Sequence, residues 1–341
     1  MLPSPDPRPG TSLKQRLVEI DWIGAPLLLG AIMCFTMAIN FGGVLYDWDS
    51  GSEIALFVVA GVLFILFGFQ QAFCIGTTKA RRIFPVNLIR APLTTSRTPL
   101  LMFFTTAAGG AGIFLPVYFI PLFFQFARDD SPVDAAVRLL PFILVMIFVT
   151  LVQGALFSHP SGRFGLYMPW FALGGALAIT GGTLMYLVET TTSQTWIYGS
   201  SALLAAGVGT FTQAGFAITQ ASVPHSLAAV AAAFIALAQA GGGTIALAIA
   251  NAVFVNNAQD RLVGVLPSSV TDGQVEAAIA GVGGDFVKLL PPQAQAAVLD
   301  AIVQALRKPY ILTIVAGGVV LASSLLMKRE RLFLAAHAPG A

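Results

Sequence analysis

The chain is 341 residues long; 56% of its residues are hydrophobic, only 10% are charged, and the mean hydropathy is +0.81. Because soluble domains carry about 25% charged residues, this composition excludes a soluble globular protein and indicates an integral membrane protein. The formal net charge of +2 gives no reason to expect a nucleic-acid partner. The two cysteines, Cys34 and Cys74, lie in separate apolar segments and predict neither a disulfide framework nor a CxxC site.

Apolar segments long enough to cross a bilayer recur along the chain. A membrane-spanning helix needs roughly 20 residues, and the hydropathy pattern predicts eight such helices. They cover residues 22–44, 54–75, 99–126, 133–157, 166–188, 196–221, 226–254 and 309–327. The predicted fold class is therefore an all-α integral membrane protein with eight transmembrane helices.

The connecting segments indicate the side of the membrane on which each lies. Twelve of the eighteen Lys and Arg residues fall in the N-terminal segment 1–21, the basic loop 76–98, the short loops 158–165 and 222–225, and the tail 328–341. Cytoplasmic segments carry the excess of basic residues, so these five segments, including both termini, are predicted to be cytoplasmic. An even number of spans also requires both termini to lie on one side.

Residues 112–141 are the most informative stretch, because they read as one helix that leaves the bilayer and another that returns. A charged turn at 128–130 follows the first apolar run. Ser131 is placed to cap the returning helix, and Pro132 suits its first turn, where a missing N–H does no harm.

Three prolines, Pro116, Pro121 and Pro141, lie inside the two apolar runs of this hairpin. A proline inside a membrane helix leaves a carbonyl group that neighbouring helices or polar side chains must satisfy. The hairpin is therefore predicted to lie inside a packed bundle.

Two further segments have distinctive residue patterns. The seventh predicted span contains small residues at every fourth position and the run Gly241-Gly242-Gly243, which favours either close helix packing or a gating hinge. The loop 255–308, extracellular on this topology, contains apolar residues at a spacing of three to four. These residues are Val298, Leu299, Ile302, Val303 and Leu306. They predict an amphipathic helix that lies on the membrane or on the bundle.

The hairpin also resembles the start of the C-terminal half of a major facilitator superfamily (MFS) transporter. The residues that carry the resemblance are Tyr118, Pro121, Phe124, Gln125, Ser131-Pro132 and Leu139-Leu140-Pro141. The segment 206–220, a Gly-x-Gly run followed by glutamines, resembles a later span of the same family. Pro291-Pro292 resembles the start of its last extracellular helix. The combination is most similar to the fungal 14-spanner drug:proton antiporters, which export toxins and secondary metabolites.

The resemblance implies a division of the chain into two membrane parts. Residues 22–75 would form two linker transmembrane helices, and residues 99–327 would form the C-terminal six-helix half of the MFS fold. The expected protein is an N-terminally truncated transporter, the C-terminal portion only, in the plasma membrane. Its expected partners are a small organic substrate, the lipid bilayer, and either a missing N-terminal half or a second copy of the chain.

Neutral polar side chains within the predicted spans are the candidates to line a substrate cavity. They are Tyr118, Gln125, Gln153, Gln213, Gln220, Gln239 and Asn251. Amides and an aromatic ring suit a large, weakly polar organic molecule, although each glutamine has an alternative role in a hydrogen bond between helices.

The sequence contains no pattern typical of an enzyme. There is no Gly-x-Ser-x-Gly elbow, no paired histidine at metal spacing and no phosphate-binding loop, so we expect no catalytic residues, no metal and no cofactor. No Asp, Glu, Lys or Arg lies in the middle of a predicted span, although proton relays need intramembrane titratable groups. An inactive or accessory membrane subunit, which only packs against a partner half, is therefore the alternative function.

Overall fold

The computed structural model of the chain describes residues 12, 20–43, 45–79, 81–84, 93–157, 165–223, 227–266, 270, 272–279 and 290–329. Within these residues it forms twelve helices and no strand. The helices are α1 (Gly24–Phe41), α2 (Gly51–Phe73), α3 (Leu93–Arg128), α4 (Pro132–Val137), α5 (Leu140–Phe157), α6 (Met168–Tyr186), α7 (Gln194–Gly209), α8 (Ala214–Ala221), α9 (Ala228–Val265), α10 (Asp272–Ile279), α11 (Pro292–Leu306) and α12 (Tyr310–Leu326).

Eight stretches of the described chain are helical, long and apolar enough to cross a membrane. The predicted fold class, an all-α membrane protein with eight spanning helices, is confirmed. Helix α3 is the central element: it packs most extensively against α9 and also contacts α12, α8, α11 and α7. Helix α6 packs between α12 and α7, and α5 packs against α7.

The hairpin between α3 and α4 is closed by local hydrogen bonds. Asp129 has a left-handed backbone with φ of 54°, a conformation that Asp adopts more readily than most residues. The backbone N–H of Asp134 donates to Ser131 Oγ at 3.2 Å, and the Ser131 hydroxyl donates to the Asp134 carboxylate at 2.6 Å. Pro132 is the first residue of α4. The chain therefore reverses direction in a turn that satisfies its own polar groups.

Arg138 ties this hairpin to α7. Its guanidinium donates to Asp130 at 2.7 Å, to Gln194 at 3.0 Å and to the Tyr198 hydroxyl at 3.0 Å, and it lies 5.1 Å from the centre of the Phe124 ring. A multiply bonded guanidinium holds its partners in a fixed geometry. This one cation accordingly attaches the hairpin to the start of α7.

The fourth predicted span, 133–157, is interrupted once rather than continuous. Arg138 and Leu139 separate α4 from α5. Pro141 accounts for the break, because it has no N–H to donate to the carbonyl group of Val137 one turn earlier.

The sixth predicted span, 196–221, is also interrupted, at residues 210–213 between α7 and α8. Backbone groups released by such a break need new partners within the bilayer. Thr150 of α5 donates to the carbonyl oxygen of Gly209 at 3.1 Å, and the Thr210 hydroxyl donates to that of Gly207 at 2.7 Å. The break is therefore stabilised by hydroxyl groups.

The loop predicted over 255–308 is partly helical, because α9 continues to Val265 beyond its predicted end at 254. Ala258 and Leu262 extend the buried stripe of α9 in this region, where α11 packs against it. Helix α11 is the amphipathic helix that the apolar spacing predicts. Its apolar residues are buried against the bundle, so of the two predicted placements the structure shows the second.

Glycines set the distance between α3 and α9. A Cβ atom added at Gly110 would overlap the carbonyl oxygen of Gln239 and would lie 2.8 Å from the amide nitrogen of Gly243. One added at Gly242 would lie 2.5 Å from the carbonyl oxygen of Ala107. The two backbones therefore touch at this crossing, which is the close-packing role of the glycine run in the seventh span.

Helices α1 and α2 form a pair that is attached to the bundle through α1. The described part of α2 packs mainly against α1, and α1 packs against α9. A small apolar cluster of Ile39, Ala248 and Ala252 marks that contact.

A buried polar network fastens the other end of this pair. The Asp21 carboxylate accepts hydrogen bonds from Gln70 at 3.0 Å and from Gln71 at 2.7 Å. Gln71 Oε1 in turn accepts from the backbone N–H of Phe84 at 2.8 Å, and the Phe84 ring lies 5.2 Å from that of Phe234 in α9. The network thus joins α2 to the bundle through residues 81–84.

Several predicted segments lie wholly or largely outside the described residues. They are most of 1–21, residues 85–92 of the basic loop, 158–164, 224–226, 280–289 and 330–341.

The α3–α9 crossing predicts opposite effects for one substitution at adjacent positions. Gly242→Ala places a methyl group against the backbone of Ala107 and should destabilise the protein by about 1–3 kcal/mol. In Gly241→Ala, the added methyl group meets no atom of the described residues within 4 Å. It should stabilise the helix by about 0.5–1 kcal/mol, because alanine loses less backbone freedom than glycine. Thermal unfolding in detergent, followed by size-exclusion chromatography, measures both; equal midpoints would show that the crossing does not limit stability.

Candidate functional site

A cavity of about 380 Å³ lies where α1 meets α3 and α9. Each of the three helices contributes part of its wall. The lining residues are Thr36 and Asn40 of α1, Phe114 and Tyr118 of α3, and Gly243, Thr244, Leu247, Ala248 and Asn251 of α9. The volume falls within the range of pockets that hold small organic ligands, about 300–1,000 Å³.

A pair of amides closes the boundary between α1 and α9. Asn251 Nδ2 donates to Asn40 Oδ1 at 2.8 Å, and Asn40 Nδ2 donates to the backbone carbonyl of Thr36 at 2.7 Å. The Thr36 hydroxyl donates to the carbonyl groups of its own helix, at 2.9 Å to Ile32. Asn40 therefore uses both ends of its amide, and it holds Asn251 with the Oδ1 atom of Asn251 still available.

Two aromatic rings from α3 form the apolar wall. Phe114 packs directly on Gly243, where a Cβ atom would overlap the ring, and 39% of the Phe114 side chain stays exposed. Tyr118, one turn further along α3, is 45% exposed and has its ring 5.0 Å from that of Phe119. The absent side chain of Gly243 thus makes room for the aromatic face.

The chemistry of this wall is neutral. Within the residues that line the cavity, hydrogen bonding is left to hydroxyl and amide groups, since none of them carries a charge. Such a surface can bind an uncharged molecule by stacking and by a few directed hydrogen bonds, which is the usual composition of a ligand pocket. The described parts of the chain also contain no group of three or more His, Cys, Asp or Glu residues placed to hold a metal ion.

The seven predicted cavity residues do not lie together. Tyr118 and Asn251 share the cavity of α1, α3 and α9. Gln213 lines a separate groove of about 150 Å³ between α5 and the break after α7. Gln153 of α5 is only 2% exposed, and its Nε2 atom has no hydrogen-bond partner among the described residues.

The remaining three glutamines lie elsewhere on the bundle. Gln125 is half-buried near the end of α3, and Gln220 is exposed on α8. Gln239 is half-buried on α9, one turn before Gly243, at the point where α9 touches Gly110. The structure therefore brings together only two of the seven side chains in this cavity.

Sequence reasoning missed the contribution of α1. Thr36 and Asn40 stand four residues apart in an otherwise apolar helix, so they share one helical face. That spacing was the available signal for a polar stripe directed at a partner. The resemblance assigned this helix to a linker, and no cavity residue was therefore predicted on it.

One titratable side chain outside the cavity is also distinctive. Glu53, in the first turn of α2, is fully buried at 0% exposure, and neither of its carboxylate oxygens has a hydrogen-bond partner in the described chain. Its backbone N–H donates to the Ser50 hydroxyl at 3.2 Å. Buried ionisable groups without a partner are uncommon, and this one lies at the end of a spanning helix, in its first turn.

The chain is similar in sequence to known transporters. No family model matches the chain. The chain is 45% identical over 335 residues to the MFS-type transporter pgmG of Aspergillus terreus, with 98% of this chain and 58% of pgmG covered. It is 40% identical to the phomenoic acid biosynthesis cluster MFS-type transporter of Leptosphaeria maculans, with 98% and 54% covered. It is also 40% identical to the efflux pump alnA of Emericella nidulans, with 99% and 60% covered.

The fold is similar to that of a solved transporter structure. A bacterial homolog of the human lysosomal transporter Spinster, in an inward-facing and unoccupied conformation, matches with a TM-score of 0.52 at 16% identity. The match covers 89% of this chain and 66% of the bacterial protein. The chain thus spans a little more than half the length of the curated relatives that it matches, and over nearly all of its own length it is similar to MFS-type transporters and efflux pumps of fungi.

Proposed function

We propose that this chain belongs to the major facilitator superfamily and takes part in the efflux of small organic molecules, such as fungal secondary metabolites. The observation that carries the proposal is the 45% identity to an MFS-type transporter across 98% of the chain. The neutral, partly aromatic cavity of α1, α3 and α9 supports it, because that wall suits a weakly polar organic molecule.

Within that family we propose the 14-spanner drug:proton antiporter type. In this arrangement α1 and α2 are the two linker spans, and α3 to α12 form the C-terminal six-span half. Such transporters hold substrate between two pseudo-symmetric halves. The partner would then be an N-terminal half or, alternatively, a second copy of this chain.

Efflux activity is tested by expressing the full chain in a yeast strain that lacks its own drug pumps. We expect reduced retention of a lipophilic fluorescent dye when the chain is co-expressed with the N-terminal half of the relative pgmG, because two facing halves enclose a transport path. Retention is measured by flow cytometry, with each half expressed alone as the control. Unchanged retention in the co-expressing cells, with both polypeptides present in the membrane, would contradict the proposal.

We propose that the chain lies in the plasma membrane, where an exporter acts, with both termini in the cytoplasm. The excess of basic residues in 76–98 and 328–341 supports this orientation. Single cysteines in a background without Cys34 and Cys74 test the orientation. Asp49→Cys, in the turn between α1 and α2, should react with an impermeant maleimide added to intact cells. Thr78→Cys, after α2, should react only once the membrane is permeabilised. Labelling of Thr78→Cys in intact cells, with or without labelling of Asp49→Cys, would refute the orientation.

We further propose that Glu53 carries the exchanged proton, since it is the buried carboxylate without a partner in the described part of a spanning helix. Glu53→Gln keeps the shape of the side chain but cannot exchange a proton. Dye efflux in the assay above should become independent of the external pH, whereas Glu189→Gln, at a side chain 65% exposed, should keep the pH response of the unaltered chain. A preserved pH response in Glu53→Gln at equal expression would exclude this role.

A further inference from the structure

Helix α1 forms one wall of the cavity, although its attachment to α9 does not require it to do so. The apolar cluster of Ile39, Ala248 and Ala252 already joins α1 to α9. Thr36 and Asn40 lie on the same side of α1 but face an open volume of about 380 Å³ rather than a packed interface. A polar face that borders a cavity is placed to meet a ligand.

Asn40 also decides which atoms the cavity offers. Because it accepts the Nδ2 donor of Asn251 at 2.8 Å, it fixes the orientation of that amide and leaves the Oδ1 atom of Asn251 as an acceptor. The second polar group is the hydroxyl of Tyr118, a residue of α3 that also lines the cavity. One acceptor and one hydroxyl, set beside the rings of Phe114 and Tyr118, match a flat molecule that carries a hydroxyl group and a carbonyl group.

We propose that Thr36 and Asn40 of α1 are specificity-determining residues of a ligand site shared between the α1–α2 pair and the bundle. The site takes uncharged aromatic molecules with a hydroxyl and a carbonyl group. This inference rests on the proposed efflux function, which it deepens by naming the substrate class and by giving the α1–α2 pair a part in recognition.

The cavity also excludes a class of ligand. No lining residue is charged, so a carboxylate or phosphate would lose its hydration without gaining a countercharge. Charged metabolites should therefore bind poorly, whereas neutral aromatic ones keep their stacking and their hydrogen bonds.

The test measures binding directly, so that it does not depend on transport. The full chain is purified into lipid nanodiscs and titrated with flavonol, a neutral fluorescent aromatic that carries a hydroxyl beside a carbonyl group. Flavone, which lacks the hydroxyl, and flavone carboxylate, which adds a charge, are used as competitors. We expect saturable flavonol binding, weaker competition by flavone and little competition by the carboxylate.

The variants distinguish the contribution of α1 to ligand binding from the contributions of α3 and α9. Asn40→Ala releases the amide of Asn251 and should weaken flavonol binding about three- to ten-fold, the effect of one net hydrogen bond. Thr36→Val and Tyr118→Phe should each weaken it in the same direction. Thr244→Trp, at an exposed position of α9, fills the cavity without disturbing the core and should remove saturable binding.

Matched controls lie outside the cavity. Asn257→Ala removes an amide that donates to its own helix at Val253, and Thr180→Val removes a hydroxyl bonded to Ala176 in the way that Thr36 is bonded to Ile32. Both should leave the affinity unchanged.

Three outcomes decide the proposal. Weaker binding in the α1 variants, with unchanged controls, supports it. Unchanged binding in Asn40→Ala and Thr36→Val, together with a loss in Tyr118→Phe, overturns the part assigned to α1 and leaves a site in the bundle alone. No saturable binding of flavonol in any form, alongside intact dye efflux in yeast, overturns the site but not the efflux function.

Discussion

The contact of two helix backbones, at Gly110 of α3 and at Gly242 and Gly243 of α9, is the constraint on which the rest of the structure depends. Within lipid, no hydrophobic force distinguishes a neighbouring helix from the surrounding hydrocarbon chains, so association depends on van der Waals contact and on hydrogen bonds. Small residues allow that contact over the greatest length. Because α3 is the helix that touches most of the others, its distance from α9 sets the position of the bundle. The same glycine at 243 seats Phe114 and thereby shapes the cavity.

Hydrogen bonds complement this packing at the edges of the bundle. The α1–α2 pair has few apolar contacts with the six-span part, and polar groups attach it as well. These are the Asp21–Gln70–Gln71 network, the Asn40–Asn251 amide pair and Asn256, whose Nδ2 atom donates to the Gly42 carbonyl at 3.4 Å. Each group in the first network has a partner that is itself buried, which is the condition under which buried polar groups stabilise a structure. The pair therefore has a defined position beside α9, and the cavity between them is a consequence of that position.

Sequence reasoning reached the number and approximate limits of the spanning helices, because hydropathy over 20 residues is a property of each segment by itself. The cap at Ser131 and the amphipathic helix α11 could be predicted for the same reason, since both depend on residues within one or two turns. The breaks at Arg138–Leu139 and at 210–213 were missed. Pro141 was a sufficient signal for the first. The second is stabilised in part by Thr150, a residue from another helix.

The site was harder to predict from the sequence, because a helix that is apolar on every side gives no indication of how it is rotated in the bundle. From the sequence alone, the seven predicted cavity residues were equally good candidates. Only the packing of α3 against α9 brings two of them, Tyr118 and Asn251, to one cavity. The contact of Asn40 with Asn251 joins residues 211 positions apart, which no local pattern encodes.

The hydrogen bonds that hold the helices together differ in strength, and this difference determines which helices can move apart. A hydrogen bond between neutral side chains in a membrane protein contributes about 0.6 kcal/mol on average, close to thermal energy. Arg138 makes charge-assisted bonds to Asp130 and further bonds to Gln194 and Tyr198, and such bonds are roughly twice as strong as neutral ones. The hairpin of α3 and α4 is therefore held firmly to α7. The hydrogen bonds between α1 and α9, from Asn251 to Asn40 and from Asn256 to the Gly42 carbonyl, are neutral and can open at small cost. Movement that admits a ligand to the cavity should for this reason occur between α1 and α9, where only neutral hydrogen bonds and the small cluster of Ile39, Ala248 and Ala252 hold the wall closed.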